Sequence, residues 1–187
     1  MKTDYKKYKN WFVIGTILLV IILIIRKIKQ RNMITDIIDK LPRRGQYAQR
    51  SIEAIDKIVI HHSASPAGRF TMYDFANWHI DPGGRLKAPG IAYHFGIDPD
   101  GKIYQSNKLT SQSWHAGNGN PSSVGVVLNG NFENEIPSDA QKKSLKYLIR
   151  FLRRKLKKKL TVFGHREIPG NLTACPGRNL NLEEFRM

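Results

Sequence analysis

Apolar residues in this chain fall into runs of three kinds. The first is continuous. Trp11 to Ile25 reads WFVIGTILLVIILII without a charge, with Lys6, Lys7 and Lys9 before it and Arg26, Lys27, Lys29 and Arg31 after it. As a helix it would cover about 22 Å at ~1.5 Å per residue, short of a ~30 Å hydrocarbon core. Flanking Lys and Arg can snorkel and thin a bilayer to close that gap. A helix apolar on every face and ringed by charge is not a core helix. No small-x-small cleavage site follows it, so a retained anchor is preferred over a cleaved signal peptide. The pattern therefore predicts a transmembrane helix over residues 11–25, preceded by a short tail of residues 1–10.

Runs of the second kind have helical spacing. Met33, Ile34, Ile37, Ile38 and Leu41 predict a short amphipathic helix that Pro42 stops. Residues 42–50 (PRRGQYAQR) read as a polar joint, which makes residues 26–50 a basic linker. Met72 to Ile80 places Met72, Phe75, Ala76 and His79 on one helical face. Ser138-Asp139-Ala140-Gln141 is a capping box, and Leu145, Leu148, Ile149, Leu152 and Leu156 form one apolar stripe behind it.

Runs of the third kind are short and strand-like: Ile58–His61, Ile91–Ile97, Lys102–Gln105, Val124–Leu128 and Leu160–Gly164. Asp98-Pro99-Asp100-Gly101 between two of them is a strong hairpin turn. Strands interleaved with helices predict an α/β domain over residues 51–187, a single mixed β-sheet with helices packed on it. That length is enough to bury a core.

Charge adds a second layer. The formal net charge is +16; residues 1–50 hold 12 Lys/Arg against 3 acids, and residues 51–187 hold 19 against 12. The first excess flanks the apolar run, where it would anchor to anionic headgroups. The second lies on the helix from Lys142 to Lys159. A solvated basic face is the simpler reading there, and an anion-binding face for polymer or lipid the functional one. No nucleic-acid-binding motif accompanies the charge, so no nucleic acid is expected as a partner.

Candidate chemistry centres on Cys175, the only cysteine. Ten positions before it, a strand-like run ends in His165, and a Pro/Gly loop joins the two. Far upstream another apolar run ends in His61-His62. Two histidines at strand ends and one loop thiol make a three-ligand set for zinc, one ion per chain. Three protein ligands leave a fourth tetrahedral position open, the catalytic arrangement. A lone cysteine forms no internal disulfide, and its bland alternative is a buried small hydrophobe.

Five motifs then occur in order: Ile58-Val59-Ile60-His61-His62-Ser63-Ala64; Ala92-Tyr93-His94-Phe95; Ser113-Trp114-His115-Ala116-Gly117; Ser123-Val124-Gly125-Val126-Val127-Leu128; and Gly164-His165-Arg166 with Thr173-Ala174-Cys175-Pro176-Gly177. Together they resemble the type 2 N-acetylmuramoyl-L-alanine amidases, a family that includes zinc amidase lysozymes of phages and the peptidoglycan recognition proteins. The resemblance implies a zinc hydrolase of the endolysin kind, cutting the amide between the lactyl group of N-acetylmuramic acid and L-alanine. It implies His61, His165 and Cys175 as ligands, with His62 packing or supporting. It implies Tyr93 and Thr173 as catalytic donors, and Trp114 and His115 as substrate-binding residues. Trp114 can equally be core filling, and His94 reads as a satisfied core histidine. Members like the cytoplasmic recycling amidases carry a glutamate within the Gly125–Leu128 strand and an aspartate as third ligand. Val127 and Cys175 stand in those places here. Peptidoglycan is the implied partner, with anionic wall polymers or lipids for the basic faces. The implied location is the outer side of the cytoplasmic membrane, held by one N-terminal span. The alternative function is a peptidoglycan-binding receptor without catalysis.

Overall fold

The computed structural model describes residues 11–21 and 33–186. Residues 11–21 are helical (α1), and their large apolar side chains are exposed, from Ile21 at 45% to Phe12 at 78%. At ~1.5 Å per residue α1 covers roughly 16 Å, about half of a hydrocarbon core. Among the described residues no helix is long and apolar enough to cross a membrane. That corrects the predicted transmembrane helix, and with it the membrane partner and the single-pass location. Residues 1–10 and 22–32, including the end of the apolar run and most of the basic flanks, lie outside the described residues.

The second compact unit runs from Thr35 to Met187. Its sheet has six strands: β1 (Ile34–Asp36), β2 (Lys57–His62), β3 (Phe95–Ile97), β4 (Ile103–Gln105), β5 (Ser123–Leu128) and β6 (Thr161–Gly164), in the order β1-β4-β3-β5-β2-β6. β2 is parallel to both β5 and β6, β3 is parallel to β5, and β3 and β4 form the antiparallel hairpin across Gly101. The expected mixed α/β sheet is therefore present. All six residues of β5 and five of β2 are buried. Strands covered on both faces carry unbroken apolar runs, as these do.

Three more helices are α2 (Met72–Ile80), α3 (Asp139–Leu156) and α4 (Glu183–Arg186). α2 opens on a capping box from Thr71 and Asp74 and buries Met72, Phe75 and Ala76 against Val127, Ile91 and Leu41. α3 opens on the expected box, Ser138 with Gln141, and buries Leu145, Leu148, Ile149 and Leu152. A fully buried leucine contributes about 1.5–3 kcal/mol, so this stripe is a main fastening of the domain. Part of the basic face is engaged within the fold. Lys146 pairs with Glu184 at 3.6 Å, Arg153 donates to Leu160 O at 2.9 Å, and Lys158 donates to the carbonyls of Glu53 and Ile55.

Three local expectations differ from the structure. Met33 to Leu41 is not a helix: Ile34–Asp36 is an edge strand, Ile38–Lys40 is a single 3-10 turn, and Ile37 N–H donates to Gln105 O at 2.9 Å. β-branched residues favour an open sheet edge over a helix. Residues 42–50 are not a free joint either. Tyr47 is 4% exposed, with its hydroxyl 2.7 Å from Gly90 O and 2.9 Å from Ile91 O; Arg43 donates to Ser106 O at 3.1 Å. In the predicted strand Ile91–Ile97, regular pairing begins only at Phe95: the Asn107 amide takes the carbonyls of Ile91 and Tyr93, while His94 still donates to Gly125 O and accepts from Ser106 N–H.

Candidate active site

His61 lies near the C-terminal end of β2, the strand between β5 and β6. Side chains alternate along a strand, so His61 shares a face with Val59, and in register with Val127. His165 follows β6 directly and opens a 3-10 turn. Because β2 and β6 are parallel, both histidines emerge at the same edge of the sheet, with their rings 4.5 Å apart. The loop after His165 returns Cys175 to 3.6 Å from His61 Nδ1. One ligand atom each from His61, His165 and Cys175 lies within 4.8 Å of the others.

The donor set fits zinc. Bonds of ~2.0–2.3 Å in a tetrahedron set ligand atoms roughly 3.3–3.8 Å apart, so the His61–Cys175 separation already suits and the rest needs a small closure. Two imidazoles and a thiol are a borderline-soft set, unlike the all-oxygen sites of magnesium or calcium. His62 stays outside the cluster, since its Nδ1 accepts the Phe132 N–H at 3.1 Å. The motif glycines have steric work here. A Cβ on Gly125 would come within 2.6 Å of the His115 ring, and Gly177, at φ +95°, lies against the Phe132 backbone.

Burial tunes these groups. It is the largest cause holding His61 far below its ordinary 6.5, with charge on His115 and His165 adding to it; burial also lowers His165, which Asn171 partly offsets. Burial pushes the Cys175 thiol up to about 12. Tyr93 is raised above its ordinary 10 by burial first and the Cys175 charge second, so its hydroxyl remains a donor near neutrality.

An open groove of about 450 Å³ brings together all seven residues singled out in the sequence: His61, His165, Cys175, Tyr93, Thr173, Trp114 and His115. The Tyr93 ring stands 5.1 Å from that of His61. Thr173 Oγ1 accepts the Cys175 N–H at 3.1 Å, which leaves its own proton to donate elsewhere. Trp114 is 43% exposed on the groove, with Tyr47 edge-on behind it at 6.2 Å. His115 is only 6% exposed, and its Nδ1 is 3.1 Å from His61 Nε2, so it stands behind the ligand. His94 is fully buried, accepting Gly125 N–H at Nδ1 and facing Ser111 O with Nε2.

Sequence reasoning assigns no role to Asn171, Ser123, Tyr47 or Arg50. Arg50 donates to Leu109 O and Asn120 O, and Asn120 Oδ1 accepts the backbone N–H groups of His115 and Ala116. Burial lowers Arg50 to about 10. Their sequence signal is faint: polar residues in a joint, in a loop or at the first position of a strand, bonded largely to backbone carbonyls.

Residues 51–178 match the N-acetylmuramoyl-L-alanine amidase family. The chain belongs to that family. Peptidoglycan-recognition protein LB of Drosophila melanogaster is 32% identical over 136 residues, 67% of this chain and 56% of that protein. The chain thus spans little more than half the length of the curated relatives it matches first. The solved structure of N-acetylmuramoyl-L-alanine amidase LysC from Clostridium intestinale superposes with a TM-score of 0.66 at 28% identity, over 81% of this chain and 93% of that one. That of Drosophila PGRP-LB gives 0.64 at 29% identity, over 80% and 91%.

Proposed function

We propose that this amidase-family chain is a zinc-dependent hydrolase of peptidoglycan, cleaving the amide between the lactyl group of N-acetylmuramic acid and L-alanine. The observation that carries the reading is the convergence of three metal-competent atoms with two spare hydroxyl donors on one groove. Zinc held by His61, His165 and Cys175 would supply Lewis acidity and a water of lowered pKa. The chain's own residues do the rest. The Tyr93 and Thr173 hydroxyls donate to the carbonyl oxygen as negative charge builds on it, where a preorganised donor is worth most. Trp114 offers an aromatic face for a sugar-peptide ligand. No carboxylate stands on the β5 strand, so a glutamate base there takes no part.

Digestion of purified peptidoglycan by the zinc-loaded full chain tests the reading, with the freed termini identified by mass spectrometry. New L-alanine amino termini beside intact lactyl carboxyls are expected. Binding without any such termini would sink the hydrolase and leave a receptor.

A further inference from the structure

The hydrogen bonds behind the two histidines decide which ring nitrogen each can offer. His61 Nε2 is 3.1 Å from His115 Nδ1, and His115 Nε2 is 3.2 Å from Ser123 Oγ. Ser123 Oγ is 2.6 Å from the Gly119 carbonyl, which only accepts. The Ser123 hydroxyl therefore donates to Gly119 O and accepts from His115 Nε2–H. His115 Nδ1 is left as an acceptor, so His61 Nε2 carries the proton. The bare Nδ1 of His61 is the atom that faces Cys175.

His165 is set by a separate route. Its Nε2 is 3.1 Å from Asn171 Oδ1. The amide cannot be turned around, because Asn171 Nδ2 donates to Ala116 O at 3.2 Å and Ile168 O at 3.1 Å. His165 Nε2–H must donate, and Nδ1 is again bare. Both routes end beside one short turn, Gly117–Ser122: Gly119 lies within it and Ala116 caps it.

We propose that Asn171 and the His115–Ser123 pair are positioning residues that lock His61 and His165 as Nδ1 ligands before any metal arrives. The inference rests on the metal-site reading above and deepens it. Groups that hold the second nitrogen of a ligating histidine fix its tautomer and orientation, and losing one costs about 10–100-fold in metal affinity.

The test uses the full chain. Long-range ¹H–¹⁵N NMR of the metal-free protein should find His61 and His165 both protonated at Nε2; either one protonated at Nδ1 overturns the proposal. Chelator competition should show zinc affinity about 10–100-fold weaker in Asn171→Ala, with the His61 tautomer unchanged. Affinity within twofold of wild type in Asn171→Ala, or His165 protonated at Nε2 as before in that variant, overturns the Asn171 assignment. Asn171 is half-buried on a loop, so folding is not at stake. Ser123→Ala should weaken zinc and disturb the His61 tautomer while leaving that of His165 alone; an undisturbed His61 would remove the His115–Ser123 pair. A wild-type chain that binds no zinc overturns both readings. Normal affinities and tautomers without peptidoglycan cleavage would count against the hydrolase alone.

Discussion

His61 and Cys175 face each other across 3.6 Å, yet different physics holds them. His61 sits on a strand bonded on both sides, in continuous register with β5 from Lys57 to His62. It cannot move without opening the centre of the sheet. Cys175 hangs on a loop with no ladder. It is fixed by its N–H to Thr173 Oγ1, by its carbonyl, which accepts from Arg166 N–H at 2.9 Å, and by the turn at Gly177. The strand-borne half ties position to stability. The loop-borne half adds a ligand that the fold does not need.

Cys175→Ser should therefore break the two halves apart. A hydroxyl is a far poorer anionic ligand than a thiolate, so zinc and turnover should both fall to background. The metal-free variant should still unfold within about 1 kcal/mol of the metal-free wild type, as an isosteric change outside the main core would. Ile60→Ala, one residue from His61 and fully buried, should instead cost about 2–5 kcal/mol in denaturant melts. Normal zinc content in Cys175→Ser, measured by elemental analysis, would remove the ligand assignment.

Tyr93→Phe separates binding from turnover within the same groove. It deletes one donor and touches no ligand. Zinc stoichiometry should be unchanged while kcat falls roughly 10²–10³-fold. An unchanged kcat would take Tyr93 out of the chemistry.

Protons sharpen the contrast next. Burial holds both histidines below 6.5, so near pH 7 they are already neutral and have no proton to lose. The Cys175 thiol, pushed up to about 12, is protonated there and must lose its proton to bind. Zinc loading should then release one proton per ion, and affinity should rise about tenfold per pH unit from neutrality upward. Calorimetry in buffers of different ionisation enthalpy would count that proton. A flat affinity across this range would mean that the thiolate exists before the metal does.

Legibility follows the same divide. The ends of β2 and β6 can be read from sequence because an apolar run closing on histidine marks both the strand and its exit. The cysteine can be read because it is alone. The hydrogen-bond supports cannot. Asn171 and Ser123 act through carbonyls: those of Ile168 and Gly119 are local turn groups that no side-chain pattern marks, and that of Ala116 is brought to Asn171 only by the fold. Hydropathy marks the apolar start of residues 11–25, but the described helix is too short for the span expected of it. Periodicity at Met33–Leu41 marks the side chains that pack inward, Leu41 buried and Ile37 partly so, and the wrong backbone, because the open edge of the sheet lies far off in sequence.

The smallest effect is expected where the segment before residue 51 meets the groove. Tyr47 is buried, its hydroxyl held by the carbonyls of Gly90 and Ile91 and its ring edge-on to Trp114. Tyr47→Phe keeps the ring and loses the hydrogen bond, which should lower stability by about 0.5–1.5 kcal/mol. The ring supports Trp114 and the hydroxyl is spent on the carbonyls of Gly90 and Ile91, so KM for peptidoglycan and zinc affinity should both stay within about twofold, as distant, independent sites do. Tyr47→Ala takes the ring as well. Truncating a buried aromatic costs about 3–5 kcal/mol, and Trp114 would lose its backing, so KM should rise while zinc binding holds. Chemical denaturation beside steady-state kinetics on soluble peptidoglycan fragments reads both quantities. A KM that rises equally in Phe and Ala would place the effect in the hydroxyl and the Gly90–Ile91 loop. A KM that moves in neither would show that residues 33–50 stabilise the domain without shaping its groove.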